Sequence, residues 1–93
     1  MIIGFLSLDI YLPYSHSLKE KRKRLVGIRD RLKKKYNVAF SELDYQDKWQ
    51  RSKIGLVSLN SQKRVVEKLF HKIELDIQDS IDGEVLNKET VFF

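Results

Sequence analysis

The stretch IIGFLSLDIYLPYSHSLKE (residues 2–20) passes from a strand-like to a helix-like pattern, and this change decides the fold. From Ile2 to Leu12 the side chains alternate with the period of two that is typical of a strand, and the leucines and isoleucines at even positions form its core face. Pro13 ends this strand. Ser17 and Glu20 then form a capping box, in which each side chain satisfies a free backbone N–H of a first helical turn. The stretch therefore predicts a strand followed by a helix.

The rest of the chain continues this alternation of strands and helices. Apolar residues at helical spacing predict two helices, and short apolar runs bounded by polar residues predict three further strands. The predicted elements are a helix from Leu18 to about Tyr36, strands over 38–45 and 54–59, a helix with Val66, Leu69, Phe70, Ile73 and Ile77 on one face, and a last strand over 85–93. We predict Asn37 as a left-handed cap after the first helix, and Asn60 or Ser61 as the cap before the second.

This order of elements, β-α-β-β-α-β, predicts the fold class. Right-handed crossovers fold it most readily into an α+β ferredoxin-like βαββαβ sandwich, a four-stranded antiparallel sheet with two helices on one face. The first and third strands are the most apolar, so we expect them at the centre of the sheet. We expect residues 1–93 to form a single domain, with a core that contains Leu6, Leu8, Leu25, Ile28, Leu32, Leu69 and Ile73.

Composition limits the chemistry that the chain can support. Its 93 residues are 42% hydrophobic and 33% charged, which is typical of an ordered globular domain. Because there is no cysteine, disulfides, cysteine-based zinc sites and thiol nucleophiles are excluded. Ser7 and Asp9 interrupt the apolar start, which therefore fits neither a signal peptide nor a membrane span. We expect a soluble cytoplasmic protein without a membrane partner.

The net charge of +5 is unevenly distributed along the chain. Residues 1–73 hold 17 Lys and Arg against 7 Asp and Glu, whereas residues 74–93 hold one Lys against 6 acidic residues. The basic part is suited to a polyanion. We expect the acidic part to turn away from such a partner, or to pair with a basic surface of the same chain or of a second subunit.

The predicted first helix carries most of the positive charge, with ten Lys and Arg between residues 19 and 35. At about 100° per residue these side chains surround the apolar stripe. Arg22, Arg29 and Lys33 flank it on one side, Arg24, Arg31 and Lys35 flank it on the other, and Lys19, Lys23 and Lys34 point outward. Lys63 and Arg64 add charge at the start of the second helix, where the helix dipole favours anions. We interpret all these residues as candidate phosphate contacts for RNA or the ribosome; the alternative is a charged face that is only solvated.

Four aromatic residues are predicted on the sheet face that the helices leave open: Phe5, Tyr11, Phe92 and Phe93. An RNA-recognition motif would place aromatic residues in the third strand, but the segment from Lys53 to Leu59 contains none, so that motif is excluded. We interpret the four as a subunit interface or a second small core, and predict a homodimer; base stacking is the alternative.

Asp44, Asp47, Trp49, Gln50 and Arg51 crowd the connection between the second and third strands. Two aspartates without a nearby His or Glu are too few ligands for a transition metal. We expect an aspartate that caps the turn and pairs with the arginine, and a tryptophan that anchors the hairpin. The only histidines, residues 16 and 71, have no visible acid or nucleophile partner. We therefore predict no catalytic residues, no metal, no cofactor and no small-molecule substrate.

Four segments together resemble the YlxP-like bacterial family, an uncharacterised domain of unknown function. They are Ser17-Leu18-Lys19-Glu20-Lys21-Arg22, Tyr36-Asn37-Val38, Asp47-x-Trp49-Gln50-Arg51 and Asp82-Gly83-Glu84-Val85. The resemblance covers essentially the whole chain and implies a ferredoxin-like fold. Genes of this family often neighbour those for translation initiation factor and ribosome-binding factor A, so the resemblance also implies work on RNA or the ribosome. It implies no catalytic residues.

Overall fold

A computed structural model describes residues 1–93 and confirms the predicted order of elements. The elements are β1 (Ile2–Tyr11), α1 (Leu18–Lys35), β2 (Ala39–Asp44), β3 (Arg51–Asn60), α2 (Lys63–Ser80) and β4 (Glu84–Phe92). The third strand is longer than the sequence pattern indicates because its polar first residue, Arg51, pairs with Tyr11 of β1. Neither helix combines the length and the apolar composition that crossing a membrane requires.

The four strands form one antiparallel sheet in the order β2-β3-β1-β4. The two most apolar strands, β1 and β3, are central as predicted, and Leu8 of β1 lies opposite Ile54 of β3. Even-numbered side chains of β1 share one hydrophobic cluster with both helices, so the helices cover the same face of the sheet. This is the predicted α+β ferredoxin-like arrangement.

The capping box at the start of α1 is present. The Ser17 hydroxyl accepts a hydrogen bond of 3.0 Å from the Glu20 backbone N–H, and the Glu20 carboxylate accepts one of 3.1 Å from the N–H of His16. At the other end the prediction is wrong: the helix ends at Lys35, and positive φ angles occur only at Tyr45 and Asp82, so Asn37 is not a left-handed cap. The chain instead leaves the helix through an extended residue and enters β2.

The start of α2 also differs from the prediction. Its N-terminal cap is Gln62, whose side chain makes no capping hydrogen bond. Asn60 and Ser61 precede this position, and the Asn60 side chain accepts a hydrogen bond of 3.0 Å from the Gln62 N–H. The two residues shape the turn between β3 and the helix, because β3 continues to Asn60 itself.

The core lies between the sheet and the helices and contains six of the seven side chains predicted for it. The exception is Leu69, which is only half-buried because it lies beside the buried stripe of α2. The buried apolar side chains are Leu6, Leu8, Ile10, Leu12, Leu25, Ile28, Leu32, Val38, Ile54, Leu56, Val66, Phe70, Ile73, Ile77 and Ile81. Gly4 lets α2 approach β1 closely, since a Cβ atom there would lie 2.5 Å from Val66 and 2.8 Å from Phe70.

Candidate nucleic-acid interface

The flank of α1 that faces α2 is occupied by contacts within the chain. The Arg31 guanidinium lies 2.8 Å from one Asp76 carboxylate oxygen, and Lys35 Nζ lies 3.1 Å from the other. Arg31 also donates to the Ser80 hydroxyl. Arg24 donates a weaker hydrogen bond of 3.4 Å to the carbonyl of Ile81. The three cations predicted on this flank therefore hold the two helices together.

The remaining cations of α1 form a surface that turns away from α2, which we call the outer basic face. It consists of Lys19, Arg22, Lys23, Arg29, Lys33 and Lys34, all of them exposed. Arg29 pairs with the adjacent Asp30 at 3.1 Å, and both side chains are largely in solvent. The other five make no ion pair or side-chain hydrogen bond within the chain, so their charge is available to a partner.

The tenth cation of α1, Lys21, is completely buried. Its ammonium lies 3.0 Å from a carboxylate oxygen of Glu42, and it donates to the carbonyls of Tyr45 at 2.6 Å and Arg51 at 3.2 Å. Ser52 donates a further hydrogen bond of 2.6 Å to the same Glu42 oxygen. This network fixes the loop between β2 and β3 against the start of α1.

Helical spacing contains the signal that reveals the burial of Lys21. This lysine stands four residues before Leu25, which puts it on the buried stripe that continues through Ile28 and Leu32. Because lysine is polar, the positions of the apolar residues alone do not indicate that Lys21 is buried.

Lys63 and Arg64 lie in the first turn of α2, and both are exposed. The Lys63 ammonium lies 4.9 Å from the centre of the Phe92 ring, a cation–π distance. Phe92 in turn stacks on Phe70, with the ring centres 6.4 Å apart. The prediction of Phe92 on the open sheet face is therefore wrong, because its register opposite Gly4 puts it on the helix-covered face.

The open face of the sheet carries an apolar patch of two cross-strand rows. One row is Leu59, Ile3 and Phe93, and the other is Val57, Phe5 and Val91. Phe93 is 73% exposed and Leu59 58% exposed, so neither is covered by another part of the chain. Tyr11 lies at the opposite, polar end of this face, beside Arg51. Two of the four predicted interface residues, Phe5 and Phe93, thus belong to the patch.

The connection between β2 and β3 has a different arrangement from the predicted one. Arg51 pairs with Asp9 of β1, through hydrogen bonds of 2.7 and 3.3 Å, and lies 4.6 Å from the centre of the Tyr45 ring. The hydrogen bond to the Asp9 carboxylate is the main cause that raises the pKa of Arg51 above its ordinary value. Asp44 caps the turn by accepting a hydrogen bond of 2.7 Å from the Tyr45 N–H. Arg51 therefore joins two strands through Asp9 and contacts Tyr45 of the loop, but it does not pair with Asp44 or Asp47 as predicted.

Gln50 and Trp49 of the same connection have different roles: the first holds the fold together and the second is exposed to solvent. The Gln50 side chain donates to the carbonyl of Pro13 at 3.1 Å and so holds the end of β1. Trp49 is 54% exposed and does not anchor the hairpin as predicted, because Lys21 and Gln50 fix the loop instead. No group of three or more His, Cys, Asp or Glu is placed to hold a metal ion.

Most of the chain is similar to a known protein family, and a designed protein shares its fold. The family model described as "Protein of unknown function (DUF503)" matches residues 3–90. The uncharacterized protein YlxP of Bacillus subtilis (strain 168) is 38% identical over 72 residues, which cover 77% of this chain and 78% of that protein. The de novo designed protein Ferredog-Diesel superposes with a TM-score of 0.51 at 15% identity, over 96% of this chain and 83% of that one.

A fourth similarity is more distant. The C-terminal domain LarC2 of a cyclometallase involved in the synthesis of the NPN cofactor of lactate racemase gives a TM-score of 0.43 at 12% identity, over 100% of this chain and 56% of that one.

Fold and surface together define a class of protein, a small ferredoxin-like α+β sandwich with a strongly basic outer helix. Within this class the chain belongs to the DUF503 family, the family of YlxP.

Proposed function

We propose that this protein is a cytoplasmic RNA- or ribosome-associated binding module, and that it contacts phosphates through the outer basic face. One observation carries the proposal: five of the six cations of this face have no partner in the chain, whereas all three on the opposite flank do. Cations that already pair within the chain are less available to an outside partner. Those left in solvent are the ones a phosphate backbone can neutralise.

The dimensions of the outer basic face suit a strand of nucleic acid. From Lys19 to Lys34 it extends about 22 Å along the helix axis, at about 1.5 Å per residue. The two acidic side chains of α1, Glu20 and Asp30, offset only part of this charge, because the face carries six cations and Asp30 pairs with Arg29 alone. Contacts of this kind recognise phosphates rather than base sequence, so we expect little base preference from this face.

The salt dependence of binding tests the proposal, with RNA affinity measured by fluorescence anisotropy between about 50 and 200 mM salt. Engagement of four or five cations should lower log K with log salt at a slope of about −3 for single strands. The triple variant Arg22→Gln/Arg29→Gln/Lys33→Gln removes three charges of the outer basic face and should reduce this slope by about 2.

The opposite flank provides a matched control with the same change in charge. The triple variant Arg24→Gln/Arg31→Gln/Lys35→Gln should leave the salt slope within about one unit of the parent value, because these side chains contact α2. Equal effects of the two triples would refute a localised interface. Absence of binding at about 50 mM salt would refute the RNA function itself. Crosslinking and sequencing of bound RNA, with ribosome co-sedimentation from the same lysate, would identify the target.

The apolar patch favours a second candidate function, a homodimer that acts as a protein-interaction module. The strands have 10, 6, 10 and 9 residues, and at about 4.8 Å between strands and about 3.3 Å per residue they give an open face of roughly 550 Å². Two such faces in contact would bury about 1,100 Å² in total, which is just below the usual range of stable interfaces and fits a weak dimer. The patch lies on the other side of the sheet from the helices, so this dimer and RNA binding are compatible.

A further inference from the structure

A groove of about 500 Å³ opens between the end of α1 and the start of α2, above the end of β3. Ligand sites in proteins commonly have volumes of about 300–1,000 Å³. Apolar side chains form its floor, and amides and lysines form its rim. The outer basic face differs in composition, because the only exposed large apolar side chain of α1 is Val26.

The floor of the groove is apolar and uncovered. Tyr36 and Leu69 pack against the core and are half-buried, and Val65 is 42% exposed. A flat, partly apolar ring placed here would cover side chains that no part of the chain covers. Aromatic side chains such as Tyr36 commonly serve as stacking surfaces for bases.

The amide groups at the rim have hydrogen-bonding capacity to spare. The side chain of Asn37 makes no hydrogen bond within the chain, and its backbone carbonyl accepts one of 2.9 Å from Ser58. Asn60 uses its side-chain oxygen to accept from the Gln62 N–H at 3.0 Å, which leaves its NH₂ donors free. Free donors and acceptors above an apolar floor match the polar edge and flat faces of a nucleobase.

Lysines complete the rim and connect it to the outer basic face. Lys68 and Lys72 lie one turn apart on α2, and neither forms an ion pair. Lys35 also lines the groove, although its ammonium is shared with Asp76 at 3.1 Å. The last turn of α1, from Lys33 to Lys35, therefore leads from the outer basic face directly into the groove.

We propose that this groove takes one unpaired nucleobase of a single-stranded RNA whose phosphates follow the outer basic face. The inference rests on the proposed RNA function and deepens it. The base lies on the floor beside Tyr36, its polar edge meets Asn37 and Asn60, and the adjoining phosphates meet Lys68 and Lys72. The groove thus adds a contact to the base where the helix offers contacts to the backbone alone.

The test compares a ten-nucleotide uridine RNA with an abasic strand of the same length and charge. The parent protein should bind the strand with bases at least about fivefold more tightly, since one stacked base commonly contributes that much or more. Val65→Gln makes the floor polar at an exposed position and should bring this ratio close to one, as should Tyr36→Leu. Leu75→Gln is the matched control, because Leu75 is an equally exposed apolar residue of α2 (47%) that does not line the groove.

The outcomes separate the two proposals. If the parent binds both strands equally, the groove proposal is overturned while phosphate binding stands. If it binds neither at about 50 mM salt, both fall. If Val65→Gln folds and keeps the full preference for bases, the base lies elsewhere, as on the exposed Trp49, and the groove proposal is overturned.

Discussion

Arg31 and Asp76 join the two helices of this protein, with a guanidinium nitrogen 2.8 Å from a carboxylate oxygen across 45 residues of chain. The same carboxylate holds Lys35, so one acidic side chain of α2 pairs with two of the ten cations of α1. The acidic end of the sequence thus pairs in part with a basic surface of its own chain. This pairing leaves the positive charge of α1 concentrated on the side away from α2.

Asp76→Asn should lower the free energy of unfolding by about 1 kcal/mol in urea titrations at low salt. The estimate is small because Arg31 and Lys35 are partly exposed, with 34% and 55% of their side chains in solvent. The loss should shrink in 1 M NaCl, where surface charges are screened over about 3 Å. Asp79→Asn serves as the control, because Asp79 is an exposed residue of the same helix and its carboxylate forms no ion pair. Equal losses in the two variants would contradict the assigned role.

Leu32→Ala should cost about 2–5 kcal/mol of unfolding free energy, because this side chain is completely buried in the core. Val26→Ala on the same helix, at a position 43% exposed, should change it by less than about 0.5 kcal/mol. Chemical denaturation of both variants gives the comparison. A cost below about 0.5 kcal/mol for Leu32→Ala would place that side chain on the surface and refute the packing of α1 on the sheet.

Lys21→Met should destabilise the protein by about 3 kcal/mol, because it leaves the Glu42 carboxylate without its cation and removes a donor from the carbonyls of the β2–β3 loop. Adding Glu42→Gln should recover part of the loss, since no unpaired charge then remains. Lys23→Met, at an exposed site of the same helix, should have an effect within about 0.5 kcal/mol. Similar stabilities of the two single variants would argue against the buried network.

If the apolar patch mediates self-association, the protein should be a dimer in sedimentation equilibrium at about 100 μM. This protein concentration is roughly tenfold above the Kd of a weak, micromolar dimer. Val57→Lys combined with Phe93→Ser changes two exposed members of the patch and should give a monomer. Leu75→Lys, on the helical side of the molecule, should leave the dimer intact. A parent protein that is monomeric at this concentration would leave the patch to another kind of partner.

The elements, the strand order and most of the core follow from local patterns in the sequence. The alternation of β1 and the capping box at Ser17 need only neighbouring residues, and the placement of β1 and β3 follows from their apolar composition. The features that decide the candidate interface depend on register and on contacts between distant segments. Alternation along a strand already requires Phe92 and Phe93 to lie on opposite faces of the sheet, but only the pairing with β1 shows that Phe93 is the one on the open face.

Contacts between distant segments also decide which cations of α1 are paired within the chain and which are free. Helical spacing alone makes the two flanks equivalent, and only the packing of α2 shows that Asp76 and Ile81 occupy one of them. The groove was not predicted at all, since its lining comes from α1, β3 and α2 and no single segment contains its pattern.

The burial of Lys21 also gives the protein an internal chemical reporter. Acylating reagents modify amines that they can reach, and the other eleven of the twelve lysines retain some contact with water. Lys21 can react only when the β2–β3 loop separates from α1, so its rate of labelling, followed by mass spectrometry, measures how often that corner of the molecule opens. Among the lysines of α1, Lys21 is thus the one whose reactivity measures local opening of the structure and not exposure of the side chain in the closed state.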